Sequence, residues 1–123
     1  MQQALLILGA LNGALAVALG AFGAHGLRER VEAPLIETWT TASEYHFYHA
    51  LALLLAGVLA RLFDSVWIPA AGWVLLAGMI VFSGSLYLLV LTGQRWLGAI
   101  TPLGGVALIA GWLLLAWGLF RAG

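Results

Sequence analysis

The chain reads as an all-α membrane protein: an antiparallel four-helix transmembrane bundle with a short surface helix between helices 1 and 2. Three observations predict this. Charged residues make up only 8% of the 123 residues, against about a quarter in a water-soluble domain. The five basic and five acidic residues fall in four short clusters, Arg28 to Glu44, Arg61 to Asp64, Arg95 and Arg121. Between them lie long apolar runs without the period-two alternation of a barrel strand, and each is near the roughly 20 helical residues that cross a hydrocarbon core of about 30 Å. Lipid offers no partner for an exposed amide, so such runs must be helical.

A single transmembrane domain over residues 1–123 is expected, with spans near 4–24, 42–61, 68–91 and 96–120. The first span ends at His25-Gly26, where a histidine suits a helix C-terminus and a glycine can take a left-handed turn. Met1-Gln2-Gln3 carries no basic residue and the following run exceeds an ordinary signal-peptide core, so this span is expected to be retained. The connector from Leu27 to Thr40 holds the expected surface helix, starting near Pro34. The second span opens around Thr41 to Glu44 and closes near Arg61. Phe63 to Trp67 turn the chain, and Pro69 is tolerated in the first turn of the third span. Thr92-Gly93-Gln94-Arg95 forms the last turn, and the fourth span runs from Trp96 to Phe120.

Alternation then defines two sides. Side X carries both termini, Arg61 and Arg121; side Y carries Arg28, Arg30 and Arg95, an excess that favours Y as the cytoplasmic face. Trp39 and Trp96 are expected in the Y interfacial belt, Trp67 and Trp117 in the X belt. Lysine is absent, and the arginines are balanced by acids, so a polybasic nucleic-acid surface is excluded. With no cysteine there is neither disulfide nor thiolate chemistry.

Placed by depth, polar side chains gather in the Y half. His25 ends the first span; Glu44, Tyr45, His46 and His49 open the second; Ser83, Ser85 and Tyr87 lie in the third and Thr101 in the fourth. The X half offers only Asn12, near mid-membrane, and tryptophan indoles. Intramembrane polar groups normally face the bundle or a wet cavity, which predicts a Y-side pocket formed by His25, Glu44, Tyr45, His49, Ser83, Tyr87 and Thr101. The competing reading makes His49 a structural bridge to Tyr87, Thr101 or a backbone carbonyl, His25 a helix cap, and the serines back-bonded packing residues. His46 and His49, three apart, could share a metal with Glu44 or His25, but without cysteine or a second cluster of histidines and carboxylates neither a metal nor a cofactor is expected.

Gly9, Gly13, Ala16, Gly20 and Gly23 form a small-residue stripe on the first span, and Gly104 and Gly105 open a second on the fourth. Such stripes let helix backbones approach closely, within one bundle or between copies. No nucleophile elbow, phosphate loop, dinucleotide fingerprint or zinc-protease helix is present, so no enzyme activity is expected.

The segments Gly20-Ala21-Phe22-Gly23-Ala24-His25-Gly26-Leu27, Thr41-Ala42 through Leu53, Phe82-Ser83-Gly84-Ser85-Leu86-Tyr87 and Thr101-Pro102-Leu103-Gly104-Gly105 resemble uncharacterised protein family 0382, whose animal relatives are named transmembrane protein 256. The resemblance spans essentially the whole chain and implies a four-helix membrane protein without an established activity. His25, His49, Ser83, Tyr87 and Thr101 fit the family pattern, which often has glutamine where this chain has His46. The expected function is that of a non-enzymatic protein of the bacterial inner membrane, self-associating or accessory to a larger complex, whose pocket takes lipid, quinone or another small molecule. The alternative is a proton or small-solute channel using His25, His49 and Tyr87.

Overall fold

A computed structural model describes residues Gln2–Gly123. Four helices are long and apolar enough to cross a membrane: α1, Gln2–Phe22; α2, Ala33–Leu62; α3, Trp67–Thr92; and α4, Thr101–Ala122. Each packs along its sequence neighbour, whereas α1 and α4 share no extended contact. The helices are therefore joined in chain order, with α2 and α3 in the centre and α1 and α4 on the flanks.

The ends of the elements differ from the sequence expectation in three places. The segment beginning at Pro34 is no separate surface helix, because α2 continues unbroken from Ala33 to Leu62. No glycine or proline interrupts Leu35 to Ala56, and Thr38 returns its hydroxyl hydrogen to the Pro34 carbonyl (3.1 Å). At about 1.5 Å per residue, the 30 residues of α2 match a whole bilayer with headgroups. The first span does not stop at a left-handed Gly26 either. Gly23–Leu27 extend it as a π turn, and Gly93 alone among the described residues has a positive φ, 73°. Finally, Arg95–Ala99 form a 3-10 turn ahead of α4, with Pro102 in the first turn of α4, where no amide donor is needed.

Trp39 packs where the π turn begins. Expected in the interfacial belt, it is instead 2% exposed, and its indole N–H donates to the Leu19 carbonyl (2.7 Å). A Cβ on Gly23 would collide with the Trp39 ring, so only glycine admits the indole at this point. Phe22 meets the same ring edge-on at 5.7 Å and Tyr87 at 4.7 Å. This aromatic knot ties α1, α2 and α3 together at side Y.

Glycines set the distance between α3 and α4. The buried positions of α4 are Gly104, Leu108, Gly111, Leu115 and Gly118, stepping alternately by four and three. A Cβ on Gly104 would strike the Phe82 backbone, one on Gly111 would lie 2.6 Å from Leu75, and one on Gly118 would lie 2.9 Å from Ile68. Leu108 in turn occupies the place left by Gly78, whose added Cβ would come within 2.9 Å of the Leu108 nitrogen. Large residues of each helix thus enter the gaps left by glycines of the other, a knobs-into-gaps seam held by dispersion where lipid supplies no hydrophobic drive. The same device joins α1 to α2 through Gly9 against Leu54, Gly57 against Leu6, and Gly20 near Ser43. The stripes that also suited self-association are largely spent inside the bundle; Gly13 touches nothing within 4 Å and Gly105 meets Phe82 only at 3.8 Å.

Gly104→Ala should cost about 1–3 kcal/mol, because its methyl meets rigid backbone and not a yielding side chain. Gly105→Ala, with ordinary contact distances, should stay within about 0.5 kcal/mol. Reversible unfolding in mixed micelles measures both, and equal effects would contradict the seam.

Candidate functional site

The polar side chains divide between two faces of the α2–α3 pair. On the α1 side, Asn12 donates an amide hydrogen to the Leu8 carbonyl of its own helix (2.9 Å), turning its oxygen toward His46. His46 Nε2 lies 2.9 Å from that oxygen, and its Nδ1 lies 2.9 Å from the Tyr87 hydroxyl. An amide oxygen only accepts, so Nε2 carries the hydrogen and Nδ1 accepts from Tyr87. A directional chain results, from Tyr87 through a neutral His46 to Asn12 and the α1 backbone. Ser83 stands beside it, donating to the Ala42 carbonyl (2.7 Å).

On the α4 side the logic is reversed. His49 Nδ1 lies 2.7 Å from the Tyr45 carbonyl, one turn back on the same helix, and must donate to it. Its Nε2 then accepts from the Trp112 indole N–H at 3.1 Å. The two imidazoles of α2, three residues apart, therefore hold opposite neutral tautomers and are tied to opposite flanking helices. Tyr45 lies over His49 (6.2 Å between centroids) and Phe82 (5.0 Å). Farther along the α3–α4 seam, the Ser85 and Thr101 hydroxyls bond at 2.6 Å.

The single pocket expected from the sequence is thus resolved into separate clusters. Tyr87 and Ser83 belong to the α1 face, His49 and Tyr45 to the α4 face, and Thr101 to the α3–α4 seam. His25 is exposed on the π turn, and Glu44 is exposed and accepts from the Tyr48 hydroxyl (3.0 Å). Neither reaches His49's cluster, because the π turn carries His25 outward and Glu44 lies on the lipid-facing side of α2. The residues sequence reasoning passed over are His46 and Asn12. Asn12 was assigned to the other leaflet by depth alone, although a lone amide in mid-membrane must find a partner. Among the described residues, no group of three or more His, Asp or Glu side chains is placed to hold a metal ion.

A cleft of about 180 Å³ opens sideways between α1 and α3 above the Asn12–His46–Tyr87 chain. Leu15, Leu19, Met79 and Ile80 form its walls, and Ser83 joins its polar floor. Its shape follows from residue size. At the X end the helices converge, since a Cβ on Gly72 would lie 2.7 Å from Leu5. Toward Y, Gly84 presents no side chain to the cleft and has nothing within 4 Å of a Cβ position, which leaves space between α1 and α3. Beyond Asn12 the core is Leu5, Leu53 and Leu75, then Ile68 and Leu115, with no polar continuation to side X. On the other side of the core, the Trp73 indole N–H is buried without a partner.

Comparison with known proteins agrees with this architecture. The family described as "Protein of unknown function (DUF423)" matches residues 19–105. A UPF0382 membrane protein of Staphylococcus saprophyticus is 47% identical over 120 residues, covering 98% of this chain and 99% of its own. A UPF0382 membrane protein of Staphylococcus aureus is 49% identical over 116 residues, 94% of each chain. The UPF0382 membrane protein YwdK of Bacillus subtilis is 47% identical over 115 residues, 93% of this chain and 94% of its own. No solved structure matches. With four apolar helices and relatives of this closeness over nearly their full length, the chain is a multi-pass membrane protein and belongs to the UPF0382 family.

Proposed function

We propose that this protein is a non-enzymatic membrane binding protein, whose lateral cleft takes one end of a lipid-soluble molecule bearing a hydroxyl or carbonyl group, such as a quinone or a neutral lipid. The observation that carries this reading is a polar floor beneath apolar walls, open to the bilayer at the side. Spare bonding capacity defines the ligand chemistry. The oxygens of Tyr87 and Ser83 already donate and retain lone pairs, and Asn12 retains a second amide hydrogen. A hydroxyl can donate to the oxygens, and a carbonyl can accept from Asn12. At about 180 Å³ the cleft is smaller than the roughly 300–1,000 Å³ that enclose a drug-sized ligand. It accommodates a single ring or short segment, leaving the remainder in lipid.

The role of His46 in this reading is to orient its neighbours through hydrogen bonds, without changing charge. Glutamine offers the same pairing, an oxygen to accept from Tyr87 and an N–H to donate to Asn12. His46→Gln should therefore keep stability within about 1 kcal/mol and retain the bound molecule, while His46→Ala leaves Tyr87 and Asn12 unsatisfied at about 1–3 kcal/mol each. Thermal unfolding in lipid nanodiscs distinguishes them. If both variants lost stability equally, the orienting role would be wrong.

Occupancy is tested at Gly84, which lines the cleft and where an added Cβ has no protein atom within 4 Å. Gly84→Leu should fold as stably as the parent, since replacing a mid-helix glycine gains about 0.5–1 kcal/mol. Native mass spectrometry of gently extracted protein should show a co-purified neutral amphiphile on the parent and at least a tenfold loss on the variant. A bare parent, or equal occupancy of both, would overturn the proposal.

A further inference from the structure

A second cleft, of about 740 Å³, lies elsewhere, at side Y between the connector that precedes α2 and the turn that follows α3. Arg30, Glu29 and Glu32 line it from the connector and Arg95 from the turn, while Leu35 and Leu89 form the wall toward the bundle. Two features place it in the headgroup layer. The first turns of α2 extend beyond what the hydrocarbon core can cover, since about 20 residues suffice for that core. Trp96, next to Arg95, is 61% exposed in the manner of an interfacial anchor.

The lining carries two cations and two anions on an apolar base. A cleft that recognised an anionic lipid would leave both glutamates facing its phosphate, at a repulsive cost. A headgroup with a phosphate and an ammonium answers both signs. We infer that this cleft is a phospholipid site selective for a phosphoethanolamine headgroup in the surrounding bilayer, with phosphate held by Arg30 and Arg95, ammonium by Glu29 and Glu32, and the start of the acyl chains against Leu35 and Leu89. Arginine presents paired N–H donors that match phosphate oxygens. A primary ammonium has three hydrogens to give to carboxylates, and a quaternary choline has none, which separates two headgroups of equal net charge.

This site is independent of the lateral cleft, and its test leaves that cleft untouched. The full chain is placed in nanodiscs of equimolar phosphatidylethanolamine, phosphatidylcholine and phosphatidylglycerol, released in the gas phase, and its retained lipids are counted. Phosphatidylethanolamine should be retained about fivefold over the other two, the scale of one exposed charge pair near 1 kcal/mol. The doubly substituted Glu29→Gln, Glu32→Gln should bring ethanolamine and choline lipids to parity while still holding phospholipid, and Arg30→Gln, Arg95→Gln should release all three. Equal retention of the three lipids by the parent, or an ethanolamine preference unchanged in the glutamine variants, would overturn the assignment. So would displacement of the bound lipid by soluble glycerophosphoethanolamine at millimolar concentration, which would assign the cleft to a free metabolite.

Discussion

Hydrocarbon accepts no hydrogen bond, and the interior of this bundle is organised by that constraint. Polar side chains that enter the bundle, among them Asn12, Ser43, His46, His49, Ser83, Ser85, Tyr87 and Thr101, find partners within the protein, and the Trp73 indole is the exception. In water any of them could rotate outward at small cost. In lipid the alternative is an unmet donor or acceptor worth several kcal/mol. Conformational freedom is therefore removed from these side chains, and the polar floor between α1 and α3, which Asn12, His46 and Ser83 help to build, is held rigid.

Glycine placement supplies the complementary constraint. Where Gly104, Gly111 and Gly118 meet α3, the helices close until backbone touches side chain. At Gly13 and Gly84 the same missing side chain produces space, because no large residue is supplied opposite. One residue type thus gives both close contact and open space in the structure. The difference lies wholly in the partner helix.

That dependence explains what could be read in advance. Charge clusters and apolar run lengths identified four helices and their connectors, since span length is a property of the bilayer and is visible in one dimension. The clustering of polar residues toward side Y was also legible. Their pairing was not: His46 and His49 differ by three positions, and nothing in the local sequence says that one faces Asn12 while the other faces Trp112. Depth assignment separated Asn12 from His46, although side-chain reach brings them to 2.9 Å. Trp39 looked interfacial because tryptophan near a charged connector usually is. Its burial depends on Gly23, sixteen positions earlier, having no side chain.

The opposed tautomers of His46 and His49 bear on how α2 can move. Each ring is pinned on both nitrogens, one to α1 and α3, the other to its own backbone and α4. Turning α2 about its axis, or sliding it by one residue, would pull His46 from Asn12 and Tyr87 on one flank and break the indole contact on the other. The second helix is thus keyed like a shaft in a slot, and both outer helices are latched to it through its two imidazoles.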